Sequence, residues 1–248
     1  MRPPSETCAI AVIAKAPRPG HVKTRLQALL RPDEAAALGA AFLQDTLANL
    51  VLAGQDAPIT PFVAYAPAGE EARFDGMLPP EAELLLADGS GGNAPGVDGF
   101  GRVLLDATRA LFARGYGAVA VLGADSPTLP TAELTRAATA LLRAEADAVL
   151  GAAEDGGYWL LGLNRALPQP YADIAWSTET VAATTRLRLA EAGLRTAELA
   201  TWYDVDEPAA LARLLRDLEG TGPAFAAPAT AVLVRRFGLS ARLGPSTP

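Results

Sequence analysis

The chain holds only two lysines, and both sit in one loop: Ala14-Lys15-Ala16-Pro17-Arg18-Pro19-Gly20-His21-Val22-Lys23-Thr24-Arg25-Leu26. All its other basic residues are arginines. With Arg25, the two lysines place three cations beside Gly20, which lets a ligand come close to the backbone. A lysine acts on an anion as a point charge and an arginine as a planar fork, a combination suited to a di- or triphosphate. The plain alternative is a solvated basic loop, the usual fate of a charge run. His21, the one histidine, could touch phosphate in the same loop but reads more simply as a solvated side chain.

The acidic candidates lie further along. Asp125 stands just past the continuous apolar run Ala118-Val119-Ala120-Val121-Leu122, and Pro127 and Pro130 stiffen the loop after it. A carboxylate there can hold Mg2+ or Mn2+, which take oxygen ligands and bridge to phosphates. It can also serve only its own turn. With a phosphate-type loop expected on a neighbouring strand, the metal assignment is preferred. Asp204 and Asp206 form an Asp-x-Asp pair, and residues two apart in extended chain point the same way, so both could face one ion. Asp206 also precedes Glu207-Pro208, a helix start it could cap. Asp155, in the turn Glu154-Asp155-Gly156-Gly157, could be a general base, an acceptor-binding group, a metal ligand or a turn residue. The segment from Asp88 to Gly99 is too rich in glycine for regular structure. It is either a linker or a site loop whose backbone approaches a ligand. Arg102 follows it at a helix start, where the helix dipole disfavours a cation, which hints at an anion nearby. Trp176-Ser177-Thr178 reads as a helix cap with an aromatic staple, and Trp176 could also floor a sugar pocket.

The elements that must position these residues alternate. Strands are expected at Ala9–Ala14, Pro61–Ala66, Ala82–Ala87, Gly117–Gly123, Asp147–Ala152, Tyr158–Leu163 and Arg195–Leu199. Helices are expected at Asp33–Ala53, from Phe100 to near Arg114, from Thr131 (as its own cap) to near Ala144, from Ser177-Thr178 to near Ala192, and at Ala209–Leu218. Such alternation predicts an α/β three-layer sandwich with a mainly parallel sheet, made mixed by the hairpin-like excursion at 147–163. In such sheets ligands bind outside the carboxyl ends of the strands, where the basic loop and Asp125 both fall. One domain is expected over 1–220, with an Ala/Pro/Gly-rich tail over 221–248.

Bulk composition narrows the partners. With 248 residues and 50% apolar content, the chain can bury one large core. Its net charge of -7 argues against a nucleic acid polymer, while a small anion in a local basic loop stays compatible. Cys8 is the only cysteine, so no intrachain disulfide framework is possible, and it reads as a small buried hydrophobe. Residues 1–7 are too short and polar for a signal peptide, and no apolar run reaches about 18 residues. A cytoplasmic protein with no membrane partner is the expectation, with a homodimer left open. Gly20-His21-Val22-Lys23-Thr24 lacks P-loop spacing, no Gly-x-Gly-x-x-Gly follows a strand, and no nucleophile elbow is present.

Five motifs occur in one order: the basic loop, Gly123-x-Asp125-Ser126-Pro127-x-Leu129, Glu154-Asp155-Gly156-Gly157-Tyr158-x-Leu160-x-Gly162-Leu163, Trp176-Ser177-Thr178 and Asp204-x-Asp206. Together they resemble the bacterial DUF2064 family, associated with radical-SAM, selenodomain and arsenosugar-type glycosyltransferase labels. That family is similar to the GT-A superfamily of nucleotide-diphospho-sugar transferases and to nucleotidylyltransferases. The resemblance spans about residues 9 to 218. It implies a GT-A Rossmann-type fold and a metal-dependent transferase acting on a nucleotide-activated small molecule. The leading reaction is glycosyl transfer from a nucleotide-diphospho-sugar to a small acceptor. Nucleotidylyl transfer from an NTP, or a non-catalytic nucleotide-binding protein, are the alternatives. It further implies that Lys15, Gly20, Lys23 and Arg25 bind nucleotide phosphates, with Lys23 also serving the chemistry. Asp125 with Asp204 or Asp206 would hold Mg2+ or Mn2+, and Asp155 would lie toward the acceptor. Asp98-Gly99-Phe100-Gly101-Arg102 is similar to the family's Gly-Asp-Leu-Gly-x-Arg segment, which places Gly101 and Arg102 with the nucleotide. The stretch Ser90-Gly91-Gly92-Asn93-Ala94-Pro95 departs from that pattern, where a Gln is expected.

Overall fold

The computed structural model describes residues 2–220 and 224–243. The apolar run after Thr7 forms strand β1, Cys8–Lys15, buried along almost its whole length. Its alternate residues serve two cores. Ile10, Val12 and Ala14 pack against helices α1 (Pro32–Ala53) and α3 (Thr131–Leu142), through Leu43, Leu47, Leu50, Leu134 and Leu141. Ala9 and Ala11 face the opposite layer, where α2 (Gly99–Ala113) and α4 (Val181–Glu191) contribute Leu104, Leu105, Leu111 and Leu189. This period-two split is what a sheet covered on both faces requires.

The remaining strands are β2 (Ile59–Ala66), β3 (Glu83–Leu86), β4 (Ala118–Gly123), β5 (Ala148–Ala152), β6 (Tyr158–Leu163) and β7 (Thr196–Glu198). They form one seven-stranded sheet in the order β3-β2-β1-β4-β6-β5-β7. β6 pairs antiparallel with both β4 and β5, and every other pairing is parallel. The expected mixed, mainly parallel three-layer sandwich is therefore the fold. Its carboxyl edge collects the residues after β1, β2, β3, β4, β5 and β7 together with the start of β6.

Three local expectations change. Thr131 does not cap α3. It lies inside the first turn, and its hydroxyl donates to Asn49 Oδ1 on α1 at 2.6 Å. α4 begins at Val181 rather than Ser177, because Ser177 takes a left-handed φ of 66° and the Thr178 hydroxyl turns back to the Ala175 carbonyl. Of the stretch 221–248, expected as a partly ordered tail, 221–223 and 244–248 lie outside the described residues, and residues 224–243 carry α6 (Pro228–Phe237) and α7 (Leu239–Arg242). With α5 (Pro208–Glu219), they close a third core over the outer side of α1 through Leu38, Phe42, Leu211, Leu214, Val234 and Leu239. The signal was weak because Thr230, rather than an aliphatic residue, shares the buried face of α6 with Val234. α1 is thus covered on two sides. That burial explains a helix long and apolar enough, by length and composition alone, to cross a membrane.

Candidate active site at the carboxyl edge of the sheet

β1 and β4 are neighbours, and Ile13 and Gly123 form their last register pair. Lys15 and Asp125 each lie two residues further on, so both stand at the same end of adjacent strands. Lys15 is exposed and, among the described residues, has no hydrogen-bond or ion-pair partner. Next comes a turn in which His21 N donates to the Arg18 carbonyl, with Pro19 and Gly20 at its corners and Gly20 at φ 81°. Pro then a left-handed Gly is the type II pattern, so Gly20 serves the turn itself. Arg25 is largely exposed and faces Glu207 at 3.5 Å.

Lys23 behaves differently from Lys15. It takes a left-handed φ of 49°, which turns its side chain inward under the loop. Its ammonium meets Asp125 Oδ1 at 2.5 Å, Asp206 Oδ1 at 2.8 Å and the Val205 carbonyl at 2.9 Å. Its side chain is 6% exposed, whereas those of Asp125 and Asp206 are 46% and 40% exposed. Burial alone would lower its pKa. The Asp125 and Asp206 carboxylates more than offset that and hold its pKa above the ordinary value. Expected on a phosphate, Lys23 instead has its three donors spent on protein oxygens.

Asp125 is placed by its loop. Asn49 on α1 donates to the Leu129 carbonyl at 2.7 Å, and Ser126 Oγ donates to the Tyr203 carbonyl at 2.8 Å. Val205 N donates to the Asp125 carbonyl at 2.8 Å, so the loops after β4 and β7 are sewn together. The Tyr203 hydroxyl lies 3.1 Å from Thr128 Oγ1 and donates to Asp217 on α5 at 2.6 Å. Asn49 and Tyr203 were not singled out from sequence. An Asn among Leu47 and Leu50 on an apolar helix is the signal that points to the first.

The Asp-x-Asp pair splits. Asp206 turns to Lys23. It is not a helix cap, since Glu207 holds that position before α5. Asp204 lines a cavity of about 110 Å3 with Asp125, Ser126, Asp155 and Tyr158. Burial, then the nearby charges of Asp155, Asp206 and Asp125, push the Asp204 carboxyl up to about 6. One Asp155 oxygen accepts from Gly157 N at 2.8 Å, a turn role that, among the described residues, leaves the other free. Its turn is tied to α5 by Arg213, which donates to both Glu154 oxygens at 2.7 and 2.8 Å and lies over the Tyr203 ring. Among the described residues no three acidic, His or Cys side chains form a ready metal cluster.

The glycine-rich segment after β3 is a built loop. Asp106 on α2 accepts from Gly89 N at 3.0 Å, and Arg109 donates to the Gly91 and Asn93 carbonyls, each at 3.0 Å. A Cβ on Gly92 would lie 2.0 Å from the Arg102 carbonyl, so the loop runs directly on the helix start. Asp88, Ser90, Asn93, Gly99 and Arg102 line an open groove of about 440 Å3. Gly101 does not face that groove. A Cβ there would meet the Tyr171 carbonyl at 3.0 Å and the Trp176 ring at 3.1 Å, so packing accounts for it. Trp176 packs edge-on against both Phe100 and Tyr158, and Tyr158 lines the cavity.

The structure is similar to that of a protein from Desulfovibrio desulfuricans G20 assigned as a nucleotide-diphospho-sugar transferase. The two are 26% identical over 94% of this chain and 98% of that one, with a TM-score of 0.76. A CMP:2-keto-3-deoxy-manno-octonic acid synthetase solved with CTP shares the fold at 16% identity, over 86% of this chain and all of that one, with a TM-score of 0.52. A nucleotidyl transferase from Methanothermobacter does so at 15% identity, over 86% and 98%, with a TM-score of 0.54. No curated protein matches the chain. A bacterial family description matches residues 46–178, a span that holds the glycine-rich loop, Asp125, Asp155 and Trp176. By that match, covering more than half of its length, the chain belongs to DUF2064, described as an uncharacterized protein conserved in bacteria.

Proposed function

We propose that this chain is a metal-dependent transferase acting on a nucleotide-activated small molecule, with glycosyl transfer from a nucleotide-diphospho-sugar to a small acceptor as the leading reaction. The observation that carries this reading is the placement of Lys15, a cation without a partner among the described residues, at the same end of adjacent strands as Asp125, which lines the cavity shared with Asp155 and Asp204. The likeness to the Desulfovibrio protein supports the sugar-transfer reading.

The donor set fits a hard divalent cation. The cavity's charged groups are carboxylates, the ligands Mg2+ and Mn2+ prefer. Crowding by Asp155, Asp206 and Asp125 helps raise the Asp204 pKa, an excess of negative charge that such an ion relieves. Asp125 and Asp204 would hold it, and when bound it would stabilise charge on the departing phosphate. Lys15 would meet a phosphate oxygen, and Arg102 would face the nucleotide from the groove. Asp155 would accept the proton of the acceptor hydroxyl as that oxygen attacks the anomeric carbon and the nucleoside diphosphate leaves.

A second reading is nucleotidylyl transfer, in which a phosphorylated acceptor attacks the α-phosphorus of an NTP and pyrophosphate leaves. It is favoured by the fold shared with the CTP-bound synthetase. The deciding experiment is a thermal-shift panel of NTPs and nucleotide sugars, with and without Mn2+, followed by product analysis. A Mn2+-dependent shift for one nucleotide class, lost in Asp125→Ala, is expected. Released nucleoside diphosphate supports the first reading and pyrophosphate the second. Binding with no turnover on any acceptor points to a non-catalytic nucleotide binder. A shift indifferent to chelator overturns the metal assignment.

A further inference from the structure

We propose that Lys23 is a positioning residue. Its ammonium is the internal counter-cation that joins Asp125 to Asp206 and leaves Asp204 as the free carboxylate of the cavity, while Lys15 meets phosphate. The last part rests on the function proposed above.

The geometry carries the assignment. An ammonium has three donors, and three oxygens from two loops meet this one. The charge lies beneath the carboxylates, since the lysine is nearly buried and its two partners are open to solvent. Its nitrogen also lies 5.1 Å from the centre of the Phe42 ring, on the helix below. To reach a phosphate above the edge, Lys23 would have to give up all three oxygens and leave two carboxylates uncompensated. Lys15 faces no such cost. Among the described residues, Lys23 is also the one cation that touches any of the four clustered carboxylates Asp125, Asp155, Asp204 and Asp206. An arginine would not replace it, because a planar fork cannot satisfy three oxygens converging on one point.

The test uses Lys23→Met, which keeps an apolar stem on Phe42 and deletes the charge. Electron paramagnetic resonance titration of the nucleotide-free protein with Mn2+ should show binding roughly tenfold tighter than in the unmodified chain, because one repelling charge beside the cavity is gone. Unchanged or weaker Mn2+ binding overturns the proposal. In chelator, Lys23→Met and Asp206→Asn should each lower the melting temperature. The double variant should melt roughly 2 °C or more above the additive expectation. Additive losses overturn the proposal. If Lys23→Met alone fails to fold, rescue by Asp206→Asn in the same chain supports the proposal, and absence of rescue overturns it. A nucleotide-induced shift should survive Lys23→Met and vanish in Lys15→Met; the reverse result makes Lys23 a phosphate ligand and overturns the proposal. An unmodified chain that responds to no nucleotide refutes the transferase reading instead, and the double-variant comparison then judges Lys23 by itself.

Discussion

Lys15 and Asp125 lie at the same height on neighbouring strands, each two residues beyond the Ile13–Gly123 register pair. Among the described residues, one offers an unpartnered ammonium, and the other offers a carboxylate whose second oxygen Lys23 leaves free. On the function proposed above, Lys15 would meet the anion and Asp125 its counter-ion. Lys15→Met should therefore weaken nucleotide binding by tenfold or more, about 1.4 kcal/mol. It should change the melting temperature of the ligand-free protein very little, since an exposed side chain without partners contributes within about 0.5 kcal/mol of nothing. Calorimetric titration and thermal melting separate the two effects. An unchanged nucleotide affinity refutes the role.

Asp204 gives the metal-free protein a pH signature. Its carboxyl is pushed up to about 6 in the folded chain, against 3.8 for an unperturbed aspartate. Between those values the folded state keeps a proton that the unfolded state has released. Stability therefore falls as pH rises through that window and is flat above it. Because the group is half-buried and partly screened, the loss is on the order of 1 kcal/mol. Asp204→Asn should abolish this slope and melt higher than the unmodified chain at pH 8 in chelator. A variant with the original slope would show that another group titrates.

Much of this edge was legible in the sequence. β1 and β4 declared themselves as unbroken apolar runs, and each ended in a loop whose residues were chemical rather than apolar. Topology then forces those loops together, because strands that are adjacent and parallel end at one edge. What sequence could not assign was which cation does what. Lys15 and Lys23 look alike in a string. Their separation depends on the left-handed turn at Lys23 and on Asp206, 183 residues away, reaching the same point. Gly101 illustrates the same limit. A glycine in a motif suggests a ligand, while the fold packs Trp176 and the Tyr171 carbonyl against the place a side chain would take.

That placement makes Gly101→Ala a packing test. A methyl group there needs the Tyr171 carbonyl and the Trp176 ring to give by a few tenths of an ångström, in a wall also held by Phe100 and Tyr158. Overpacking of this kind costs about 1–3 kcal/mol. Thermal melting should fall by roughly 2–4 °C for each kcal/mol. Arg102→Ala, one residue on and facing the groove, should leave the melting temperature nearly unchanged and lower nucleotide affinity. If the two variants exchange these phenotypes, the nucleotide role belongs to the glycine.

Asp45 tests whether the C-terminal helices are part of the fold. It is 1% exposed on α1, and its two oxygens accept from Ala229 N at 2.9 Å and Thr230 N at 2.7 Å, the first turn of α6. Ala227, the residue before that helix, supplies no side-chain cap of its own. A carboxylate from another helix thus caps α6 and meets its positive end. Asp45→Ala would leave both amides unpaired, the Thr230 amide of them buried, at a cost of about 2 kcal/mol. Asp45→Asn keeps one acceptor and should cost less. Hydrogen exchange should show the amides of residues 228–237 losing protection first in Asp45→Ala, before the strands. The consequence extends to the site, because Val234 of α6 belongs to the same core as Phe42, on whose ring the Lys23 ammonium lies. Uniform loss of protection across the whole chain would mean that α6 has no independent opening, and that Asp45 stabilises the domain only as a unit.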